Sequence, residues 1–344
     1  MKIYMAPLEG ITGYIYRNAY EKFFGGVDKY YAPFISPSEK CAMVPKDRKD
    51  LDPSNNSGIC LVPQILTCKA EHFIDASNEL MTLGYKEVNL NLGCPSGTVC
   101  SKRKGAGFLM ETDLLKAFLD DIYEYGAAKG LDISIKTRLG YSDPDEFYYL
   151  VDIFNEFPIS ELTIHPRIRA DYYKGEPRLE YYKYATEHCK APLVYNGNVF
   201  SCDDYNRVVC EVGAGSVGAD SLKAGSVKAV DRVMLGRGII SNPYLVEELR
   251  GSLADGSSAG RGSSGSSADD GLKRFWELHD YLYEEYKKFI APDINVLYRM
   301  KELWSYWRLN FERLEDGRDY ARDMKHLMKV KKLFEYENIL NGIR

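Results

Sequence analysis

Residues 87–95 read Glu-Val-Asn-Leu-Asn-Leu-Gly-Cys-Pro. The first six form a short, apolar, β-rich run, and the Gly-Cys-Pro that follows ends it on a tight turn. Similar runs recur at 3–6, 29–35, 61–66, 133–139, 162–165, 193–196 and 232–236, which makes eight in all. Between most of them lie segments of helical periodicity, such as 71–83, 113–128 and 144–157, with Asp113 and Ser142 placed as N-caps. Eight strands alternating with helices predict an α/β fold, a (β/α)8 TIM barrel. An open doubly wound sheet is the alternative, and eight regular units favour closure.

The barrel accounts for residues 1–250. Residues 251–271 are rich in Gly and Ser and low in complexity, as in a flexible linker or loop. The remaining 272–344 carry no strand signal and predict a small helical bundle, with helices at about 273–290, 294–311 and 318–334 and a short final piece. Trp276, Leu278, Tyr281, Leu282 and Tyr286 supply one apolar stripe of its core, and Leu297, Met300, Leu303, Trp304, Trp307 and Leu309 another.

Composition bounds the function. Hydrophobic residues make up 45% of the 344, enough for a substantial core, and no apolar run approaches the length of a bilayer span. The first residues run directly into a motif and leave no room for a signal peptide, so a cytoplasmic location and no membrane partner are expected. The eight cysteines (41, 60, 68, 94, 100, 189, 202 and 210) show no CxxC pair and no zinc spacing. Reduced thiols and no metal are therefore expected. A net charge of −5 argues against a whole-surface polyanion binder, so any nucleic-acid role needs a local basic face.

In a barrel the active site lies at the C-terminal ends of the strands. Seven of the eight predicted strands deliver polar or glycine-rich residues to that rim. They are Ala6-Pro7-Leu8-Glu9-Gly10, Pro63-Gln64, Asn89 through Pro95, Lys136-Thr137-Arg138, His165-Pro166-Arg167, Asn196-Gly197-Asn198 and Gly236-Arg237-Gly238. Such convergence predicts an enzyme. The last two groups follow the final two strands, the usual place for a phosphate held by backbone N–H groups and a helix N-terminus. Gln64, Asn91, Lys136 and His165 suit the polar edges of a planar ring, and two of them bring positive charge. A phosphorylated planar cofactor such as FMN fits. The alternatives are a buried ion pair with a barrel carboxylate for Lys136 and a hydrogen-bonded core histidine for His165.

Cys94 differs from the other cysteines because it sits on the rim turn. A thiol with an ordinary pKa of about 8.5 is mostly protonated at neutral pH, as a general acid requires. A structural cysteine is the alternative.

The run 88–106, VNLNLGCPSGTVCSKRKGA, resembles the signature of the tRNA-dihydrouridine synthases. The order of the other motifs is similar too: MAPLEGITGYIYR at the start, then PQI, KTRLG, IHPR followed by YYKG, NGN, MLGRG and NP. The resemblance is strong over about residues 1–250 and general over the helical region. It implies an FMN-dependent oxidoreductase that uses NADPH to reduce the C5–C6 double bond of a uridine in tRNA. It also implies that Cys94 is the proton donor. By the same resemblance Pro7, Leu8, Glu9, Gln64, Lys136, His165, Asn196, Gly197, Asn198, Gly236 and Arg237 are flavin contacts, and Asn91 and Arg167 lie near the flavin and the base.

RNA contacts are expected from three places. Lys102, Arg103 and Lys104 lie in the loop after Cys94 and can steer phosphates. Tyr172, Tyr173 and Lys174 follow His165 and can stack on and clamp a nucleotide. The cluster Arg322, Lys325, Lys329, Lys331 and Lys332 offers a phosphate-contacting face, or else a merely solvated one. The partner is thus tRNA, and the chain is expected to act as a monomer. The rivals are an FMN barrel acting on a small-molecule pyrimidine and a non-catalytic RNA-binding barrel.

GAGSVG at 213–218 and GRGSSG at 260–265 match GxGxxG only formally, since neither is expected to follow a strand. The stretch 213–228 reads as an insertion, and Arg232 stands where the family has a glycine.

Overall fold

In the computed structural model, the structure describes residues 1–213, 230–254, 268–311 and 320–344. Apart from Gly213, the two GxGxxG matches and the 213–228 insertion lie outside the described residues. The described chain forms two compact units.

The first unit comprises Met1–Pro7, Val27–Asn198 and Asp204–Leu235, and it holds every strand. The strands are β1 (Lys2–Met5), β2 (Lys29–Tyr31), β3 (Leu61–Val62), β4 (Gln64–Ile65), β5 (Glu87–Leu92), β6 (Asp132–Gly140), β7 (Leu162–Ile168), β8 (Leu193–Tyr195) and β9 (Arg232–Leu235). They pair in parallel in the order β3-β2-β1-β9-β8-β7-β6-β5-β4. The two ends of that order, β3 and β4, flank Pro63 in sequence, so the chain itself joins them and the sheet closes as an eight-unit barrel.

Three predicted strands differ from expectation. Pro63 has no N–H to donate to the ladder and splits 61–66 in two, although its carbonyl still accepts Asn89 N at 2.8 Å. Pro33 likewise ends regular pairing of the 29–35 run, which rejoins the sheet only through an Ile35–Ile65 bridge. β7 runs on past His165 to Ile168. Its pairing with β6 steps from Arg138↔His165 to Gly140↔Ile168, so three residues of β7 face two of β6. Such a bulge re-aims side chains at a barrel rim.

Helices Ala70–Thr82, Thr112–Lys129, Glu146–Phe154 and Leu179–His188 pack on the outside through Phe73, Leu80, Phe118, Leu119, Leu150, Phe154 and Tyr182. Asp113 lies in the first turn of its helix and not at the cap, which Glu111 occupies. Ser142 caps nothing either. The carboxylate of Glu146 reaches back instead and accepts the N–H groups of Tyr141, Ser142 and Asp143 at 2.7, 2.9 and 2.8 Å.

The floor of the barrel is ionic. Lys29 Nζ donates to Glu87 and to Glu161, each at 2.8 Å, and Tyr4 OH donates to Glu161 at 2.7 Å. Arg232 Nε lies 3.4 Å from the same Glu161 carboxylate. The arginine found where a glycine is usual therefore has a counter-ion at the N-terminal ends of the strands, the face that serves stability.

The second unit comprises Leu8–Gly26, Val199–Asp203 and Gly236–Arg344, and it is helical. The chain is thus not divided at one boundary near residue 250, because the helix Tyr14–Phe23 and helices Arg237–Ser241 and Leu245–Ala254 group with the C-terminal ones. Helix runs to Ala254 and resumes at Ala268, both within the span expected as linker, and 255–267 lie outside the described residues. The helices Ala268–Phe289 and Asp293–Phe311 bury Leu278, Leu282, Leu297, Met300, Leu303, Trp304 and Trp307. The predicted 318–334 helix is interrupted. Tyr320–Leu327 ends early, and Leu333–Ile343 starts anew where Glu335 accepts the N–H groups of Lys331 and Lys332 at 3.0 and 3.3 Å. At the centre, buried His279 lies 2.6 Å from Tyr336 OH, which also accepts Trp304 Nε1 at 2.9 Å.

Candidate active site

Within the first unit the rim is organised by side-chain amides. Asn91 Oδ1 accepts the N–H groups of Gly93 and Cys94 at 3.0 and 2.9 Å, which closes the turn at the end of β5. Asn91 Nδ2 donates to Gln64 Oε1 at 2.7 Å, and Gln64 Nε2 donates to Asn89 Oδ1 at 2.7 Å. Asn89 Nδ2 donates to Ser134 Oγ at 3.0 Å. One hydrogen-bonded chain thus crosses β4, β5 and β6, with all three amides buried. Asn91 and Gln64 were expected to face a ring. They spend much of their capacity on fixing the Cys94 turn.

The Cys94 turn is held from several sides. Its carbonyl accepts Ala106 N at 3.1 Å and Cys100 Sγ at 3.4 Å. Gly105 has φ +57, and a Cβ there would lie 2.9 Å from both Cys94 Cβ and Cys94 O. Only glycine serves both the backbone angle and the approach. The Cys94 thiol is half-buried. Burial pushes its pKa up, and the Ser96 backbone N–H, with smaller help from the Arg138 and Lys136 cations, only partly offsets that. The thiol therefore stays protonated at neutral pH.

Lys136 and Arg138 lie two apart on β6 and so share a face. Lys136 makes no hydrogen bond or ion pair among the described residues, and no barrel carboxylate neutralises it. Burial, with a smaller push from Arg138, lowers its pKa to about 7. Arg138 is buried, with Nε on Gly93 O at 2.8 Å and Nη1 on Ile168 O at 3.1 Å. Its guanidinium lies 5.5 Å from the Tyr173 ring.

His165 and Arg167 meet as expected of neighbours on the rim, at 2.9 Å between His165 Nε2 and Arg167 Nη1. Arginine can only donate, so this ring nitrogen accepts. Arg167 is fully buried and also holds the carbonyls of Lys174 and Gly175 at 3.2 and 2.5 Å. It braces the loop that carries Tyr173, whose ring lies 6.1 Å from that of His165. Tyr172 and Tyr173 are exposed. At the end of β8, Asn196 Nδ2 donates to Met234 O at 2.7 Å, and a Cβ on Gly197 would lie 2.1 Å from Tyr195 OH.

The basic loop is uneven. Lys102 is exposed, Arg103 pairs with Glu111 at 3.3 Å, and Lys104 Nζ donates to Ser36 at 3.1 Å. Burial and then the Lys102 and Lys69 cations depress the Lys104 pKa.

In the second unit, Leu8 N donates to Thr12 Oγ1 at 2.8 Å and Glu9 is exposed. Gly236 precedes the helix Arg237–Ser241, which is only five residues long, so it offers backbone N–H groups but little macrodipole. The Arg237 guanidinium lies 5.7 Å from the Phe200 ring. Lys325, Lys329 and Lys332 are exposed.

Sequence and fold together meet a known group here. The profile of the dihydrouridine synthase family matches residues 4–340. The chain belongs to the dihydrouridine synthase family. It is 28% identical to the tRNA-dihydrouridine(16) synthase of Aquipseudomonas alcaligenes, over 72% of this chain and 75% of that protein. It is 24% identical to tRNA-dihydrouridine synthase B of Pasteurella multocida, over 81% and 78%. It is also 28% identical to a probable tRNA-dihydrouridine synthase of Staphylococcus aureus, over 71% and 70%.

This member of the family is built as the resemblance implied, a TIM barrel with helices after it. Among its described residues no cluster of His, Cys, Asp or Glu is placed to hold a metal ion, and no helix is long and apolar enough to cross a membrane. Sequence reasoning placed Asn89 and Arg138 at the rim without giving them a role, and it missed Arg169, which follows the last residue of β7.

Proposed function

We propose that this chain reduces the C5–C6 double bond of a uridine in tRNA, with FMN as resident cofactor and NADPH as reductant. The observation that carries the reading is a protonated, rigidly held Cys94 thiol on the same rim as a half-buried lysine that has no counter-ion among the described residues. An unpaired, partly desolvated ammonium is costly unless a ligand answers it. Lys136 therefore fits an acceptor or anion such as the edge of a flavin ring. Gln64 and His165 would line that ring, with Pro7, Leu8 and Glu9 beside it. Asn196, Gly197, Asn198, Gly236 and Arg237 would hold the phosphate. FMN, when bound, supplies hydride chemistry.

The protein's own part is acid catalysis and positioning. Cys94 gives its proton to the second carbon of the double bond and is left as a thiolate, which the Arg138 cation favours. Asn91 and Gly105 keep the thiol in place. The uracil must leave its stack to reach the rim, where Tyr173 offers a ring face and Arg167 braces the loop that carries it. Lys102 and Lys174 supply exposed charge for the RNA backbone, with Arg103 and Lys104 more engaged in local contacts. Lys325, Lys329 and Lys332 form a further phosphate-contacting face. Cytoplasmic action as a monomer is consistent with this role.

The test is direct. Purified protein should carry the absorption bands of oxidised flavin, and with NADPH it should form dihydrouridine in unmodified tRNA. Cys94→Ala should lose about 10²-fold or more of this rate. Turnover of free uracil with none on tRNA would move the reading to a small-molecule reductase, and colourless protein that takes up no flavin would remove both. Reversing the charge of Lys325, Lys329 and Lys332 should weaken tRNA binding and flatten its salt dependence.

A further inference from the structure

Arg169 lies just past β7, at the junction of three rim segments. Its Nε donates to Pro95 O at 3.2 Å, directly after Cys94. Its Nη2 donates to Tyr172 OH at 3.1 Å, and its guanidinium lies 5.2 Å from the rings of both Tyr172 and Tyr141. Tyr141 follows the last residue of β6. The Cys100 thiol, which couples electrostatically to the same guanidinium, donates to the Cys94 carbonyl at 3.4 Å. Arg169 also accepts Tyr172 N at its own carbonyl, at 3.2 Å.

Tyr172 needs that grip. It has φ +53, in the left-handed region that a bulky residue seldom occupies. Such a conformation persists only when its surroundings over-determine it. Here Arg169 holds the residue at backbone, hydroxyl and ring. The aromatic loop and the turn that carries the thiol are therefore fastened to a single guanidinium. A planar fork with five donors can bond two oxygens at different angles while stacking on two rings, and an ammonium cannot.

We infer that Arg169 is a positioning residue that sets the Cys94 turn against the Tyr172–Tyr173 loop, so that the thiol and the base-receiving loop keep one geometry. Removing it displaces the thiol without removing any group that reacts. The inference rests on Cys94 being the proton donor. Its test is nevertheless independent of substrate, because alkylation of a thiol needs no tRNA.

The experiment measures iodoacetamide labelling of Cys94 by peptide mass spectrometry across pH, with the exposed Cys41 and Cys210 as internal controls. Arg169→Ala should speed labelling of Cys94 by about threefold or more at an unchanged midpoint, with the controls unaffected. Arg169→Lys should not restore the wild-type rate. Tyr172→Phe, which removes one hydroxyl and endangers folding least, should give a smaller change in the same direction. The double variant should match Arg169→Ala alone, since the two residues act through one bond. With tRNA, kcat should fall about tenfold or more while KM stays within about threefold. Wild-type labelling in Arg169→Ala, full rescue by lysine, or strictly additive effects of the two changes would overturn the inference. A wild-type protein that fails to reduce tRNA would overturn the proposed function and leave the labelling result standing.

Discussion

The side-chain carbonyl of Asn91 accepts the backbone N–H of Cys94 at 2.9 Å. The amide also accepts Gly93 N and donates to Gln64, so a buried side chain fixes the turn on which the thiol stands. Asn91→Ala leaves two N–H groups and a Gln64 oxygen without their partner. Each such group costs about 1–3 kcal/mol where it stays dry. Urea unfolding should register a loss of a few kcal/mol in total. Asn91→Asp keeps the acceptor but places a carboxylate against Gln64 Oε1 and beside the thiol. It should move the pH midpoint of Cys94 alkylation upward, and a midpoint at the wild-type value would show that Asn91 does not govern the turn.

Lys136 makes a second prediction, with a definite sign. Its folded pKa is lowered to about 7, against roughly 10.4 for an unfolded lysine. Between those values the unfolded chain binds more protons, so stability rises with pH across that window. The cost of holding the ammonium is complete below the folded pKa. Lys136→Met should therefore raise the thermal midpoint of flavin-free protein near pH 6, by about 2–4 °C for each kcal/mol relieved. The gain should vanish toward pH 10. Under the proposed function the order should reverse on flavin-loaded protein, because the bound group would answer the charge. A variant that is less stable than wild type in both forms near pH 6 would contradict the unpaired lysine.

The barrel was legible because its signal is local. Eight β-rich runs separated by helical periodicity mark it, and Cys94 stood out because it follows one of those runs. What stayed hidden depends on bonds between distant segments. Gln64 and Asn91 are 27 residues apart, and the amide bond between them, which helps hold the turn, leaves no mark in the local pattern. The β7 extension arises from a bulge in its pairing with β6, which the isolated run 162–165 does not reveal. Arg232 looked like a departure from a glycine because its partner, Glu161, lies 71 positions back at the start of another strand. Pro63 and Pro33 were visible all along, and their effect on pairing was underweighted.

Gly105 yields a prediction that separates two costs. Gly105→Ala must adopt φ +57 and also bring a Cβ to 2.9 Å from Cys94 O. Gly130 has φ +65 with nothing within 4 Å of a Cβ. Gly130→Ala should thus lose only the left-handed backbone term, about 1–2 kcal/mol. Gly105→Ala should lose more, and it alone should change the alkylation rate of Cys94. Equal losses, with Cys94 labelling unchanged, would mean that the turn relaxes freely and that the close approach is incidental.

Glu161 at the barrel floor makes the last prediction. Its carboxylate takes hydrogen bonds from Lys29 and Tyr4 and faces Arg232. Burial alone would depress the Lys29 ammonium, but the bonds to Glu161 and Glu87 outweigh it and hold the pKa above the ordinary value. Burial and then the bond to Glu161 hold the Tyr4 phenol up as well. Both groups keep their protons longer in the folded chain than in the unfolded one. Their contribution is complete below about pH 10, where each is protonated in both states, and is lost as pH rises toward the folded values. Glu161→Gln leaves Lys29 with Glu87 alone and Arg232 with Asp231 alone. Breaking a buried pair on one side costs roughly 3–5 kcal/mol. Urea unfolding near pH 8 should show a loss of that order, and the gap to wild type should narrow near pH 11. A gap that stays constant across that range would show that neither Lys29 nor Tyr4 is coupled to the carboxylate.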